Sequence, residues 1–184
     1  MAGKVRNPSR TVTPKPEIDD FESGQFDSNP ASDGSGEQKS AYSQQIAQRR
    51  KARRAALQAL YEIDTTTHKP GPVLEARQVT AKLEPDGLSF LRWIITGVIA
   101  HKDDMDSLIA RYAPEWPVEQ LAVIDRNILR MSIFELLNPD SDAPSKVIVN
   151  EAVELAKIFG SDSSPRFVNG VLGTALKEIA AGAG

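Results

Sequence analysis

Between Gln48 and Arg54 the chain reads Gln-Arg-Arg-Lys-Ala-Arg-Arg, five cations in six residues. Wound as a helix, Arg49 stands one turn from Arg53, and Arg50 one turn from Arg53 and Arg54, and like charges at that spacing repel. A bound polyanion would offset that cost. Guanidinium forks pair bidentately with phosphate oxygens, which lysine does less well. Counterions released from a nucleic acid would add affinity and make it salt-sensitive. The plainer alternative is a solvated helical turn that serves solubility. In favour of binding, the cluster runs straight into an apolar stripe, which would hold it rigidly against a core.

Other chemistry finds little support. The two histidines, His68 and His101, fall in a loop and at a charged helix end, without a nucleophile or metal-ligand partner at a recognised spacing. Asp103, Asp104 and Asp106 invite a divalent-cation reading, but a helix spreads them around its axis, which favours a solvated face. There is no cysteine, which removes disulfides, thiolate metal sites and cysteine nucleophiles. A phosphate-binding glycine loop and a strand to carry one are both missing. The reading is therefore binding without catalysis, metal or cofactor. The net charge of −3 does not point to a nucleic acid, but what binds phosphate is the local field.

The elements that must position the cluster follow from periodicity. Residues 1 to about 44 are rich in Pro, Ser, Gly and acids and are expected to form a disordered acidic and polar tail. A domain is expected over 45–181. A first helix is predicted from Gln45 to Asp64, with Leu57, Leu60, Tyr61 and Asp64 at helical spacing. Pro70-Gly71-Pro72 is read as a break, followed by a short helix from Val73 to Leu83. One long helix is predicted from Leu88 to Arg111, and another from Val118 or Leu121 to Leu137. Asp142 is expected to cap a helix with Pro144 in its first turn, and Gly160 to close it. Ser164-Pro165 opens the last. No apolar run alternates as a strand would. The fold class is all-α, a bundle of six to seven helices. The apolar stretch Ile94–Ala100 is far shorter than the ~20 residues of a membrane span, and no secretory signal is visible, so a soluble cytoplasmic protein is expected.

Four segments carry a family resemblance. Arg49–Arg53 with Ala56-Leu57-Gln58-Ala59-Leu60-Tyr61 resembles the opening of NusB proteins. Asp125-Arg126-Asn127-Ile128-Leu129-Arg130-Met131 with Phe134-Glu135-Leu136 is similar to their central helix. Val147–Lys157, containing Asn150-Glu151-Ala152, and Phe167-Val168-Asn169-Gly170-Val171-Leu172 resemble their two C-terminal signatures. Order and spacing agree over roughly residues 46 to 178.

The resemblance implies two three-helix bundles set across each other. It implies binding of the single-stranded boxA element of nascent ribosomal RNA together with NusE, a small-subunit ribosomal protein. Other Nus factors and RNA polymerase would be reached through that complex, which resists termination. Carried over residue by residue, the RNA contacts are Arg49, Arg50, Lys51, Arg53 and Phe167, the last offering a ring to an unpaired base. Backbone N–H groups at the Ser164 cap would favour an anion. Tyr61 and Asp125 match positions that meet the protein partner. Alternatives stay open: a half-buried helix tyrosine for Tyr61, a helix-start acid for Asp125, and a ring closing the core for Phe167. Ser163 stands where an acidic RNA contact is expected, with Asp162 one place earlier. Some family members pair through the RNA-binding surface, which leaves a homodimer open. The rivals are the similar domain at the front of some ribosomal RNA methyltransferases, disfavoured because no cofactor domain follows, and a scaffold whose arginines bind an acidic protein. The RNA reading predicts that Arg50→Ala with Arg53→Ala removes most RNA affinity and spares the fold.

Overall fold

The structure is a computed structural model that describes residues 35–182. The acidic tail expected over residues 1 to 44 lies, as far as residue 34, outside the described residues. Those described form seven α-helices and two short 3-10 turns, with no strand among them. The helices are α1 (Ser35–Thr65), α2 (Pro70–Thr80), α3 (Pro85–Ala100), α4 (Lys102–Tyr112), α5 (Val123–Leu137), α6 (Ser145–Phe159) and α7 (Ser164–Gly182). No helix among the described residues is long and apolar enough to cross a membrane.

α1 packs on α2 and α3, α4 and α6 pack on α5 and α7, and α5 touches both groups. That centrality explains the composition of α5. Every residue from Asn127 to Glu135 is buried, and a helix enclosed on all sides must pair its polar groups. Two sets of ion pairs fix α1 antiparallel to α5. At one end Arg53 forks onto Glu135. At the other, Asp64 receives Arg130 at 2.7 Å, Arg126 at 3.1 Å and Asn127 at 3.1 Å. Burial alone would raise the Asp64 carboxyl, but Arg130, Arg126 and Asn127 hold it below the usual carboxylate range. Arg130 also grips Asp106 of α4 at 2.6 Å, so Asp106 is half of an ion pair while Asp103 and Asp104 face solvent.

Four expectations change in detail. α1 begins at Ser35, about ten residues before Gln45, over a polar sequence that offers no apolar stripe to read. α2 begins at Pro70, whose missing N–H costs nothing in the first turn. The long helix is two: His101 leaves helical geometry at φ −114° and ψ 26°, while Lys102-Asp103-Asp104 starts α4 with acids in its first turn. Asp142 is not the cap of α6. It sits in the left-handed region at φ 52°, where a short polar side chain is tolerated, and Pro144 caps instead.

Gly97 of α3 is where α5 comes closest. A Cβ there would lie 2.0 Å from Cζ of Phe134, whose ring is held by Trp93 at 4.9 Å between centroids. Gly97→Ala is expected to destabilise the protein by about 1–3 kcal/mol despite alanine's better helix propensity, because the ring has nowhere to go. Urea unfolding checks it, and Phe134→Leu in the same chain is expected to recover part of the loss.

Candidate nucleic-acid interface

An α-helix turns about 100° per residue, so the cation run of α1 cannot all face one way. Arg49 and Arg53 share one side with Ala56 and Leu60, the side that meets α3 and α5. Arg50, Lys51 and Arg54 share the other and are exposed.

The inward pair is spoken for. Arg53 is only 5% exposed and its fork is closed on Glu135, with Nε to Oε2 at 2.9 Å. The Ser141 hydroxyl donates to the same carboxylate at 2.7 Å. Arg49 donates to the Ser141 carbonyl and lays its guanidinium 4.6 Å above the Phe90 ring. Phe90 stacks in turn on Trp93 at 5.5 Å, an arrangement in which cation–π attraction holds Arg49 against α3. Arg53 therefore does not reach an external ligand, and the expected double change at Arg50 and Arg53 would not spare the fold.

The outward trio is available. Arg50 pairs with Glu151 of α6 at 2.7 Å, yet its side chain remains 59% exposed. Glu151 keeps the guanidinium oriented while leaving donors for solvent or phosphate. Gln45, Arg49, Phe90, Trp93 and Asp140 line a groove of about 340 Å³ beside the cluster.

Phe167 is not brought to this cluster. It stands in the first turns of α7, half-buried, its ring 6.2 Å from Trp116 in an edge-on pair. Ser164, one turn earlier, is buried, and its hydroxyl lies beside the Asp125 carboxyl at the start of α5. The cluster is anchored at Glu135, near the other end of α5, about 15 Å away along the helix rise. The Ser164 hydroxyl also accepts the Ser161 N–H at 2.9 Å, so it closes the loop onto α5. Gly160 permits that closure by close approach, since a Cβ there would lie 2.5 Å from that of Ser164.

Tyr61 is 44% exposed and lines a groove of about 490 Å³ with Leu57, Gln58, Arg77, Ile124 and Phe159. Asp125 is not a surface contact: it is 8% exposed, and among the described residues its Oδ1 has no hydrogen-bond partner.

The profile of the NusB family matches residues 50–177. The chain belongs to the NusB family. It is 47% identical over 129 residues to the transcription antitermination protein NusB of Roseiflexus sp. (strain RS-1), covering 70% of this chain and 91% of that one. Among solved structures it is similar to T. maritima NusB, with 34% identity, a TM-score of 0.65, and coverage of 71% of this chain and 91% of that one. A crystal structure of antitermination factors NusB and NusE in complex with double-stranded RNA shares the fold at 23% identity and a TM-score of 0.65, covering 72% and 98% of the two chains. Membership of this family of transcription antitermination factors places the chain among binding proteins rather than enzymes.

Within this NusB domain, reading the cluster as one unit missed two things. Arg54 belongs with Arg50 and Lys51 on the exposed face, and Trp116 belongs with Phe167. The signal for the first was present: Arg49, Arg53, Ala56 and Leu60 continue one stripe at spacings of four, three and four. Nothing local announces the second, because Trp116 lies far from Phe167 in sequence.

Burial pushes the Asp125 carboxyl above its usual range, and the Ser164 hydroxyl offsets only part of that. The folded state then holds this proton more tightly than the unfolded one. Stability associated with it is present at low pH and is lost as pH rises through the raised folded value. Asp125→Asn is expected to melt above the parent at pH 7, with the gap narrowing as pH falls into the carboxylate range. A gap independent of pH would assign the difference to packing.

Proposed function

We propose that the protein binds single-stranded RNA of the boxA type in nascent ribosomal RNA transcripts, together with a NusE-type ribosomal protein, and so supports antitermination by RNA polymerase in the cytoplasm. The observation that carries the proposal is the exposed face of Arg50, Lys51 and Arg54. It stands on a helix locked to α5 by the inward Arg53–Glu135 pair. The backbone that carries them is held in place and Glu151 orients Arg50, so less ordering is needed when phosphate arrives, which is how preorganisation raises affinity. A solved assembly of NusB and NusE with double-stranded RNA, in a protein that shares this fold, supports RNA and a NusE-type protein as the classes of partner.

The ribosomal partner is assigned to the Tyr61 groove. There an exposed tyrosine and the apolar rim of Leu57, Ile124 and Phe159 offer the aromatic-rich, partly polar surface typical of protein contacts. Other Nus factors and the polymerase are reached through the assembled complex.

The test is a fluorescence-anisotropy titration of a boxA-type strand, its shuffled sequence and a duplex, each with and without the ribosomal protein. Preference for the boxA-type strand, strengthened by the partner, is the expected result. Equal affinity for the shuffled strand at moderate salt would overturn it.

A further inference from the structure

The position just past the end of α2 is one that glycine usually takes, and here it holds a lysine. Lys82 sits in the left-handed region at φ 48°, which crowds its Cβ against the backbone. Among the described residues only Asp142 shares that region, and a short polar side chain tolerates it better. A residue held against its own preference points to a use for its side chain. The neighbours of the connector fix where that side chain starts. Arg77 of α2 donates to Gln58 at 3.3 Å and to Glu62 at 3.1 Å, and the Glu84 N–H donates to the Gln48 side chain at 3.1 Å. The chain from Arg77 to Glu84 therefore runs antiparallel along α1, from the level of Gln58 back to that of Gln48. Lys82 falls beside the turn that carries Lys51 and Arg54. Lys51 lies on that flank of α1, three residues after Gln48 and seven before Gln58, both spacings that share a helix face. Lys82 is exposed, and among the described residues it forms no ion pair. The other flank of α1 is acidic, for Arg50 there meets Glu151 at 2.7 Å and feels the charge of Glu154. A phosphate chain on the exposed cations is thus repelled from the α6 side and met by one more ammonium on the α2 side.

We propose that Lys82 is a further phosphate contact of the RNA site, so that the bound strand passes over Lys51 and crosses from α1 to the end of α2. The inference rests on the RNA-binding reading and adds to it a residue outside the cation run. Gln48, by holding the Glu84 N–H, fixes the connector on which this lysine stands. Lys82 reads no base; it widens the basic face by one phosphate and sets the side toward which the strand turns.

The test is an anisotropy titration of a single-stranded RNA of about twelve nucleotides, repeated across a salt series. Lys82→Ala is expected to weaken the strand about fourfold near 0.15 M salt and to lower the slope of log affinity against log salt by about 0.7, the share of one phosphate. Lys82→Arg keeps the charge and should keep both values. Lys82→Gly removes the ammonium and the backbone cost together, so it should unfold in urea no earlier than the parent and still bind as Lys82→Ala does. Loss of affinity in that variant is then not loss of fold. Glu84→Gln takes away the acid that shares the connector and should tighten the strand. Lys177→Ala removes an exposed charge from α7, which packs on α4, α5 and α6, and is expected to change neither affinity nor slope. If Lys82→Ala bound like the parent while Lys51→Ala with Arg54→Ala weakened the strand, the Lys82 contact would be overturned and the RNA reading left standing. An equal loss in Lys177→Ala would make the effect one of net charge and sink the contact too. Lys82 variants that kept RNA but lost the ribosomal protein would make the end of α2 a protein contact and the proposal wrong. Binding of no RNA by the parent chain would overturn both readings.

Discussion

Arg53→Ala is expected to destabilise the protein by about 3–5 kcal/mol, the range for removing one partner of a buried ion pair. Glu135 is 2% exposed and has the Arg53 fork and the Ser141 hydroxyl as its partners. With the guanidinium gone, its charge must stay in an apolar surround with one hydroxyl or take up a proton at neutral pH, and both are unfavourable. Urea midpoints at pH 7 check the size. Arg53→Met with Glu135→Leu removes both charges and is expected to recover most of the loss, leaving mainly the stranded Ser141 hydroxyl. A variant as stable as the parent that lost RNA affinity would return Arg53 to the interface and refute its buried role.

The contrast between Arg53 and its neighbours shows what was legible. Helix existence was, because each helix except the start of α1 carries apolar residues at spacings of three and four. The break at His101 was not, since the stripe from Leu91 and Val98 resumes at Met105 and Ile109 and periodicity runs straight across. What breaks the helix is the demand of two partners: α3 presents Gly97 to Phe134, while α4 must bring Asp106 to Arg130. Neither partner lies in the window that periodicity examines. Asp64 was similarly placed on an apolar stripe by spacing alone, and its reason for being there is the Arg126–Arg130 pair, more than sixty residues on.

The candidate site divides along the same line. The run of cations was plain in composition, and the family resemblance gave it an expected role. Which cations face outward follows from Glu135, Ser141 and Glu151, all supplied by other helices and turns. Long-range charge pairing is invisible to local patterning, because a buried arginine and an exposed one have the same propensity and the same neighbours in sequence. Asp125 repeats the lesson with the opposite sign. An acid in the first turn of a helix ordinarily favours the dipole and faces water. Here it is buried beside Ser164, and its charge is a burden rather than a handle.

Replacing Arg50, Lys51 and Arg54 together by alanine is expected to weaken RNA binding about fiftyfold near 0.15 M salt. For single strands the affinity changes with salt by a slope of about 0.7 per neutralised phosphate, so each contact is worth roughly fourfold at that concentration and three multiply. The same count requires the slope of log affinity against log salt to fall by about two. Both numbers come from one titration series, and they must move together, since an affinity loss without a slope change would mean that something other than phosphate contact was removed. Arg50→Ala also strands Glu151, which is buried beneath it. Among the described residues Lys51 and Arg54 have no carboxylate partner, so Lys51→Ala with Arg54→Ala separates the two effects. That pair should melt with the parent and still lose about fifteenfold in affinity, with a slope lower by about 1.4. An unchanged affinity in the pair would remove the outward face of α1 from the RNA path, whatever the triple variant did.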